Sequence, residues 1–334
     1  MKKCLSAMFT SLCIASVASA GTTGEESICT SSLCAFDNPG GFYISGAALY
    51  VRPSETGIGL ATDSWQYALP GGNVRSVSKP FDPEHEWEGS VTLGYDFPMT
   101  ANHIEMSYLR LDNNTHVVND TEDAPISFSS IFFPNILIPL TPGAILVSDT
   151  QLHYELNQVD LKVGRLYRDT AGNFNIRPSL GARYISLDHH QTFITSGNVI
   201  SEYDGVGPLF SLEGRYGLSK GFGLVGYFDY ALIVGQINAH SHVTVLGTDF
   251  SFTSPKRDRI VNNLTGKLGI NYHYIFTNLS TLTLEAGYQV SEYINAMDMI
   301  RGDIGVRQKI AGLETTSFGF RGPYVSLSWH AYPA

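Results

Sequence analysis

A long hairpin pattern near the C-terminus constrains the fold of this chain more than any other feature. Apolar residues such as Leu264, Leu268 and Ile270 alternate with polar or small residues such as Lys267, and the same alternation continues after a turn near 277–279. Each arm keeps a period of two for about ten residues, the length that a tilted strand needs to cross a bilayer. Strands of soluble sandwiches are usually shorter, so the hairpin predicts one face in lipid and one face in water.

The same alternation recurs along most of the chain. It is present near 86–97, 103–108, 152–163, 176–184, 208–215, 222–235 and 318–329. In the third of these segments we place Leu152, Tyr154 and Leu156 on the lipid-facing side. The phase slips near Gln158, and a β-bulge there would account for the slip. The segment Phe42 to Val51 is too uniformly apolar or small for its faces to be assigned.

The spacing of these strands predicts the fold class. About ten strands are joined alternately by tight turns (near 98–100, 168–173, 218–220 and 277–279) and by long loops (near 53–85, 113–149, 189–203, 239–259 and 296–313). Outer-membrane barrels have short periplasmic turns, long extracellular loops and an even strand number. We therefore predict an all-β, transmembrane antiparallel β-barrel of about ten strands, or of twelve if one long loop contains a further hairpin.

The N-terminus predicts export. Lys2 and Lys3 precede an apolar run to about Val17, and Ala18-Ser19-Ala20 follows, so we expect a signal peptide cleaved after Ala20. The most apolar later stretch, 131–147, is broken by three prolines and cannot form one straight spanning helix. The predicted organisation is a signal peptide at 1–20, a periplasmic segment at 21–40 and the barrel at 41–334.

Composition agrees with a membrane barrel. Charged residues make up 16% of the chain and aromatic residues 12%, with 33 glycines. A typical globular domain has about 25% charged residues. The net charge of −10 gives no reason to expect nucleic acid as a partner. No P-loop or dinucleotide motif stands in a strand-to-helix context, so no cofactor is predicted.

Two cysteines remain after signal-peptide removal. Cys29 and Cys34 lie five residues apart in an oxidising compartment. One interpretation is a local disulfide before the first barrel strand, which would leave the protein monomeric on non-reducing gels. The alternative is a bridge between protomers, which would give ladders that disappear with reductant.

Charged residues on the predicted inner face are the candidates for function. Charge inside a barrel requires water or an opposite charge. Either these residues line a polar channel that selects ions, or they form a salt-bridged plug. Opposite charges paired across the whole middle of the barrel would favour the plug. The candidates are Glu86, Glu88, Glu105, Glu155, Asp160, Lys162, Arg177, Arg183, Glu213, Arg215, Lys267 and Glu285.

Acidic residues outnumber basic ones in that set. A negative passage of low dielectric concentrates cations, so a pore lined in this way is expected to prefer cations weakly.

Enzymatic interpretations find little support. Asp188-His189-His190 lies near the outer end of a strand, where a barrel protease could place an Asp-His pair with Asp112 or Asp149 opposite, but no spacing fixes such partners. His240 and His242 share one side of an extended segment, and nothing completes a four-ligand zinc site around them. We predict that the protein is not an enzyme and holds no metal.

Several segments in order resemble the Legionella-type major outer membrane protein family. They are Gly40-Gly41-Phe42-Tyr43, Ser107-Tyr108-Leu109-Arg110-Leu111-Asp112, the stretches 159–165, 204–208 and 212–216, and Leu282 to Gln289. The resemblance covers about Gly40 to Trp329. It implies a pore-forming outer-membrane barrel that passes ions and small hydrophilic solutes.

The predicted location implies the partners. They are outer-membrane lipid and lipopolysaccharide, the barrel-assembly machinery and a further copy of the chain in a homo-oligomer. The competing hypothesis is a closed structural or adhesive barrel whose surface loops bind host cells or other receptors. The apolar, proline-rich segment 126–147 either folds over the barrel mouth or forms a contact surface.

Overall fold

Antiparallel strands account for nearly all of the described chain. The computed structural model describes residues 33–35, 40–56, 63–68, 74–79, 83–120, 127–129, 138–139, 147–193, 197–245, 248–276, 280–305 and 308–331. The strands are β1 (Leu33–Ala35), β2 (Gly41–Thr56), β3 (Asp63–Ala68), β4 (Val74–Lys79), β5 (Glu86–Asp96), β6 (Asn102–Asp120), β7 (Ser127–Ser129), β8 (Ile138–Pro139), β9 (Val147–Arg165), β10 (Tyr167–Asp169), β11 (Phe174–Phe193), β12 (Gly197–Ser219), β13 (Phe222–Val245), β14 (Thr248–Ile275), β15 (Thr281–Gly305) and β16 (Gln308–Ala331).

Ten of these strands close into a barrel. Within the described residues the ring runs β2, β5, β6, β9, β11, β12, β13, β14, β15 and β16, and β16 pairs back onto β2. Every pairing is antiparallel. Past the end of β9, the short strand β10 takes its place beside β11, and β1 pairs with β10. The predicted ten-strand antiparallel barrel is confirmed. Cys29 lies outside the described residues, as do the predicted signal peptide and the side chain of Cys34, so the disulfide alternatives stay predictions.

Short turns join the strands at one end of the barrel. Met99 and Lys220 occupy the left-handed region with φ of 55° and 53°, and Gly221 follows with φ of 84°. The Gly221 carbonyl accepts a hydrogen bond from the His273 N–H at 2.8 Å, which ties that turn to the neighbouring strand. Three predicted tight turns are found at this end, and the fourth, 277–279, lies outside the described residues.

At the other end, three predicted long loops are wrong. The ladders continue to the pairs Phe193↔Gly197, Val245↔Thr248 and Gly305↔Gln308, so most of 189–203, 239–259 and 296–313 is strand. Beyond the bilayer a strand needs no apolar face, so its sequence lacks the lipid-facing residues by which we located strands. These hairpins form a β-wall that rises above the barrel.

The two remaining long connections contribute a second, smaller sheet. Its order is β4-β3-β7-β8, so the connection between β2 and β5 pairs with the connection between β6 and β9. In the segment 126–147 only the backbone of 127–129, 138–139 and 147 is described, and the two interpretations of its apolar side chains lie outside the described residues.

The outer face of the barrel is an apolar band with aromatic edges. Phe42 and Tyr95 pack at 4.6 Å between ring centroids, and Tyr50 and Trp87 at 5.1 Å. The two pairs are separated by eight residues on each strand, about 27 Å along a tilted strand at roughly 3.4 Å per residue. An apolar band about 25 Å tall between aromatic girdles is typical of outer-membrane barrels.

The face assignment of the opening hairpin is correct. Leu264, Leu268 and Ile270 are 38%, 73% and 57% exposed on the outer surface, and Lys267 lines the lumen. The pattern also resolves in β2, where Phe42, Ile44 and Tyr50 face outward and Tyr43 and Leu49 face inward.

The inner face changes character along the barrel axis. Towards the turn end it is polar, and towards the outer end it is a buried apolar core that includes Leu49, Tyr203 and Phe318. Leu152, Tyr154 and Leu156 belong to this core, so their predicted lipid-facing placement is wrong. The register of β9 with β6 and β11 runs without a shift, so the predicted bulge near Gln158 is also wrong. The inner face simply turns from apolar to polar there.

Among the described residues there is no helix long and apolar enough to cross a membrane.

Candidate functional site in the barrel lumen

Most of the predicted lining residues do meet in the lumen. Glu86 and Glu88 lie on the inward face of β5 but nearer the outer end of the barrel than the cavity does. Glu155 does not face the lumen. The other nine line one cavity: Glu105, Asp160, Lys162, Arg177, Arg183, Glu213, Arg215, Lys267 and Glu285.

Glu155 points to the outside of the barrel. It alternates with the fully buried Tyr154 and Leu156, and its carboxylate lies 3.6 Å from the exposed Arg110 guanidinium. The assignment failed because the inner face of β9 is apolar at this level. A polar residue between apolar neighbours was therefore placed on the wrong side.

Glu86 and Glu88 have structural partners at the β5–β6 seam. The ladder between these strands ends at Gly89↔Arg110. Above it, the Glu86 carboxylate accepts a hydrogen bond from the Asn114 N–H at 3.3 Å, and the Glu88 carboxylate lies beside the backbone of Asp112. Glu86 thus satisfies a backbone donor where the two strands separate.

A buried cluster around Arg183 fills the middle of the lumen. The Arg183 guanidinium donates two hydrogen bonds of 2.7 Å to the Asp160 carboxylate and one of 3.2 Å to Asp229, and it also binds Asn263. Arg183 is 1% exposed. The bidentate geometry offsets part of the cost of burying these charges.

One hydrogen bond crosses the full width of the barrel above this cluster. The Tyr293 hydroxyl donates to the Gln158 side chain. Their strands, β15 and β9, lie five positions apart in the ring in either direction. Gln158 in turn donates to Asp160 at 3.0 Å. Direct contacts therefore span the lumen from wall to wall at this level.

Below the cluster, each acidic side chain has close donors. Glu105 accepts from Lys162 at 2.7 Å and from the Tyr43 hydroxyl at 2.8 Å. Glu213 lies between Arg215 and Arg177, the latter at 3.8 Å. Glu285 accepts hydrogen bonds from the hydroxyls of Tyr227 at 2.9 Å and Tyr324 at 2.6 Å.

A polar cavity of about 620 Å³ occupies this lower half of the barrel. Its lining runs from Leu166, Ile275 and His330 near the turn end up to Asp160 and Arg183. Its described lining carries six carboxylates and six lysine or arginine side chains. These are Asp96, Glu105, Asp160, Glu213, Asp229 and Glu285 against Lys162, Arg168, Arg177, Arg183, Arg215 and Lys267.

The balanced lining removes the basis for the predicted cation preference. The acidic excess came from Glu86, Glu88 and Glu155, which do not line the cavity, while Asp96, Asp229 and Arg168 were missed.

A bulge in β15 closes the lumen from the outer side. Tyr293 pairs with Phe318 and Met297 pairs with Thr316, so three residues of β15 lie opposite Ser317 alone. Asn295 in this bulge has φ of 63°. The β14–β15 ladder also stops at Asn262↔Ile294. The outer part of the β15–β16 hairpin is thereby released from β14, and we call residues 294–299 and 313–317 the lid.

The lid reaches over the mouth of the barrel to β12, three strands away. The backbone N–H of Asp298 donates to the Ser201 hydroxyl of β12 at 3.0 Å. The Asp298 carboxylate, which is fully buried, binds Arg257 and Arg259 of β14 and the Thr315 hydroxyl. Ala296 and Met297 are 0% and 1% exposed in the core below. The lid and the apolar core thus fill the outer half of the lumen.

The residues considered for catalysis do not converge. His189 is fully buried in the core and stacks on Tyr154 at 4.9 Å, whereas Asp188 and His190 alternate with it and face outside. Asp112 shares that outer face, and the side chain of Asp149 lies outside the described residues. His240 and His242 do lie on one face, as predicted, and point away from the lumen.

Sequence reasoning missed the residues that shape the lumen most. Asp229 and Tyr227 share the inward phase of β13 with buried Val225 and Ala231, so a strict phase assignment of 222–235 would have found them. Tyr43, Tyr293 and Tyr324 give no such indication, because tyrosine is equally common in the outer girdles.

The fold and the lumen together define a class. A closed antiparallel barrel with an apolar outer band, aromatic edges and a polar or packed interior is an outer-membrane β-barrel protein. The sequence comparison then gives the family: the family model for the Legionella pneumophila major outer membrane protein precursor matches residues 37–331. The chain belongs to this family, and its location is the outer membrane.

Similar solved structures are outer-membrane proteins of low identity. The outer membrane protease OmpT of Escherichia coli is 11% identical with a TM-score of 0.46, and the match covers 89% of this chain and 98% of that one. A FadL homologue of Pseudomonas aeruginosa is 8% identical with a TM-score of 0.31, covering 88% and 90%. The Pseudomonas putida toluene transporter TodX is 8% identical with a TM-score of 0.27, covering 86% and 89%. At these values no activity is transferred. No curated protein is similar in sequence.

Proposed function

We propose that the protein is a closed outer-membrane barrel that carries an ordered β structure at the cell surface. The observation behind this proposal is the filled outer half of the lumen, where Tyr154, Tyr293 and Phe318 are 0% exposed. Below it, Arg183 of β11 pairs with Asp160 of the neighbouring β9 and with Asp229 of β13, and Tyr293 binds Gln158 from the opposite wall. Side chains that fill the outer half of the lumen, with buried and paired charges beneath them, are expected of a plugged barrel rather than of an open channel.

In this role the surface structure makes the functional contacts. The β11–β12, β13–β14 and β15–β16 hairpins extend beyond the apolar band, and their outer faces are polar, with residues such as Asp188, Glu202 and Asn238. A rigid wall can present a fixed binding surface at small entropic cost. Host cells or other receptors are the proposed partners.

A pore is the second candidate, and the polar cavity favours it. A charged lining below the lid is the kind of surface that hydrated ions and small hydrophilic solutes pass by passive diffusion. The family resemblance implies the same role. For conduction the lid and the core side chains beneath it would have to move, and release of Asp298 from Arg257 and Arg259 is the simplest trigger.

Single-channel recording separates the two candidates. A closed barrel predicts no steady conductance from the purified protein in planar bilayers, and none from Asp298→Ala. Steady channels in the unmodified protein would overturn the closed-barrel proposal. Channels that appear or open far more often in Asp298→Ala would assign the lid as a gate. Asp249→Ala, at an exposed hairpin position, is the matched control and should behave like the unmodified protein.

We further propose that the protein is not an enzyme. The separation of buried His189 from outward-facing Asp188 and His190 supports this. Incubation of the folded protein with a peptide library should give no cleavage; cleavage that Asp188→Asn abolishes would contradict the proposal.

Export and partners complete the proposal. A signal peptide cleaved after Ala20, insertion by the barrel-assembly machinery, contact of the apolar band with lipid and lipopolysaccharide, and a homo-oligomer are the expected context. N-terminal sequencing of the mature protein tests the cleavage position.

A further inference from the structure

Two cavity residues of opposite charge have no partner of opposite charge in direct contact among the described residues, although Asp229 lies near Lys267 and Arg215 lies near Glu285. Among the described residues Lys267 makes no ion pair and no hydrogen bond, and its ammonium lies 5.8 Å from the centre of the Tyr324 ring. Glu285 accepts hydrogen bonds from two neutral hydroxyls, those of Tyr227 and Tyr324, and forms no ion pair in the part of the chain described. Both residues line the same cavity.

The other cavity carboxylates lie near basic groups. Asp160 and Asp229 bind Arg183, and Glu105 binds Lys162. Glu213 lies beside Arg215 and Arg177, and Asp96 is 3.5 Å from the His330 ring nitrogen. Lys267 and Glu285 therefore differ from the other cavity carboxylates and from the basic groups that these carboxylates contact.

Tyr324 holds these two charges apart. Its register partners are Gly287 on β15 and, one strand further, Gly269 on β14. A Cβ on Gly269 would lie 2.9 Å from the Tyr324 hydroxyl, so the side chain crosses both glycines along the cavity wall. The Tyr324 ring thus lies between the two charged groups, and its hydroxyl is held by the hydrogen bond to Glu285.

The strand directions place the charges at different depths. Glu285 lies two residues from Gly287 on the side of the turn end, and Lys267 lies two residues from Gly269 on the side of the Arg183 cluster. Four residues along a strand correspond to about 13 Å between Cα atoms, and the side chains can lean towards each other to shorten this. A ligand that enters from the periplasmic end meets Glu285 first and Lys267 last.

We propose that this cavity binds a small zwitterion, with its carboxylate on Lys267 and its ammonium on Glu285. The ammonium of the ligand has three N–H donors. The Glu285 carboxylate can accept more hydrogen bonds than the two that it receives from the tyrosine hydroxyls. A simple anion would satisfy Lys267 alone and leave a net negative charge near Glu285. A zwitterion satisfies both sites and keeps the balance of six acidic and six basic side chains. A volume of about 620 Å³ accommodates an amino acid or a short peptide.

The face of Tyr324 contributes to the same site. A cation over a tyrosine ring is stabilised by the ring quadrupole, so Lys267 is held in place before the ligand arrives. The aliphatic body of a zwitterion can then lie along the ring between the two charges. The site depends on the cavity and not on conduction, so it is independent of whether the barrel is closed or gated.

Calorimetric titration of the folded protein in micelles tests the proposal with zwitterions of different length. The probes are glycine, 4-aminobutanoate and 6-aminohexanoate, which carry the same two charges at increasing separation. At least one should bind, and its N-acetyl derivative and its methyl ester should each bind at least about tenfold more weakly, since each lacks one charge-assisted contact. Equal binding of the N-acetyl derivative would overturn the proposal in favour of a plain anion site. No binding up to about 10 mM would also overturn it.

Two variants assign the charges to their residues. In Lys267→Met the methyl ester should bind as well as the free acid, and in Glu285→Gln the N-acetyl derivative should bind as well as the free amine. These are comparisons within one variant, so a general loss of affinity does not obscure them. Lys220→Met, in an exposed turn, is the matched control and should keep both preferences. Variants that retain both preferences would place the ligand elsewhere.

Discussion

At the scale of single residues, the lumen is built by large side chains lying over glycines. Tyr43, Gly94 and Glu105 are partners in adjacent strands, and the Tyr43 ring crosses the glycine to reach the carboxylate. A Cβ on Gly94 would come within 2.1 Å of the ring. Absence of a side chain at Gly94 is therefore a condition for the Tyr43–Glu105 hydrogen bond.

We predict that Gly94→Ala destabilises the barrel by about 1–3 kcal/mol, because the new methyl group displaces a packed ring. Urea unfolding in lipid vesicles measures the change. Gly89→Ala is the matched control on the same strand, where an added Cβ has nothing within 4 Å. Equal unfolding free energies for the two variants would show that the ring does not need the glycine.

A second prediction concerns the contribution of the Arg183 cluster to the free energy of unfolding. Arg183→Met leaves the buried carboxylates of Asp160 and Asp229 without their cation and should cost about 3–5 kcal/mol. Arg110→Met removes an ion pair of an exposed arginine on the outer wall and should change the unfolding free energy far less, because such pairs contribute little to stability. The same unfolding measurement applies, and similar losses in the two variants would mean that the cluster does not stabilise the lumen.

At the residue scale, the sequence correctly predicted which side chains of a strand point outward where one face of the strand meets lipid. Leu268 and Lys267 were assigned correctly because lipid and water differ sharply in polarity. The assignment failed at Tyr154 and Glu155, where the inner face is packed with apolar side chains. A period of two separates the faces of a strand, but it does not say which face is inside when the lumen is as apolar as the bilayer.

At the scale of elements, the β15 bulge decides the shape of the outer mouth. It frees the β15–β16 hairpin from β14 and lets Asp298 contact Ser201 on β12, three strands away. No pattern in the sequence predicted this bulge. Its clearest trace is Asn295, since asparagine tolerates the left-handed conformation better than most residues.

We predict that Asn295→Gly is tolerated, whereas Asn295→Val costs about 1–2 kcal/mol because a β-branched residue disfavours positive φ. Thermal unfolding in micelles would measure both. Asn262→Val, on the outer face of the neighbouring strand, is the control for adding valine, and it should have a small effect. A stable Asn295→Val protein would mean that the bulge relaxes without strain and does not fix the lid.

At the scale of the whole molecule, fold and compartment were predictable and the interior was not. Strand number, antiparallel order and the outer apolar band all follow from periodicity, which the bilayer enforces on every spanning strand. The lid, the Arg183 cluster and the wall of extended hairpins depend on contacts between strands distant in sequence. Those contacts are set by packing, which one sequence does not display.

The orientation of the barrel wall predicts a difference in membrane insertion. Leu268→Arg places a cation in the apolar band and should impair insertion by about 2–4 kcal/mol if the site is near the midplane. Lys267→Gln, one residue away on the lumen face, should insert nearly normally. Heat-modifiable mobility on gels after refolding into vesicles reports the folded fraction. Equal defects in the two variants would contradict the face assignment of β14.

The pairing of β16 with β2 has a consequence for the order of assembly. Nearly every other barrel contact joins strands that follow one another, whereas this one joins Phe42 to Ala331 across almost the whole chain. Bringing such distant segments together carries the largest loop-closure entropy, so the ring should close last. Until then both outermost strands expose unpaired backbone groups, and the nascent barrel is a curved sheet prone to stick to its neighbours. The time spent in that unclosed form, more than the stability of the finished ring, should set how much of the protein is lost to aggregation.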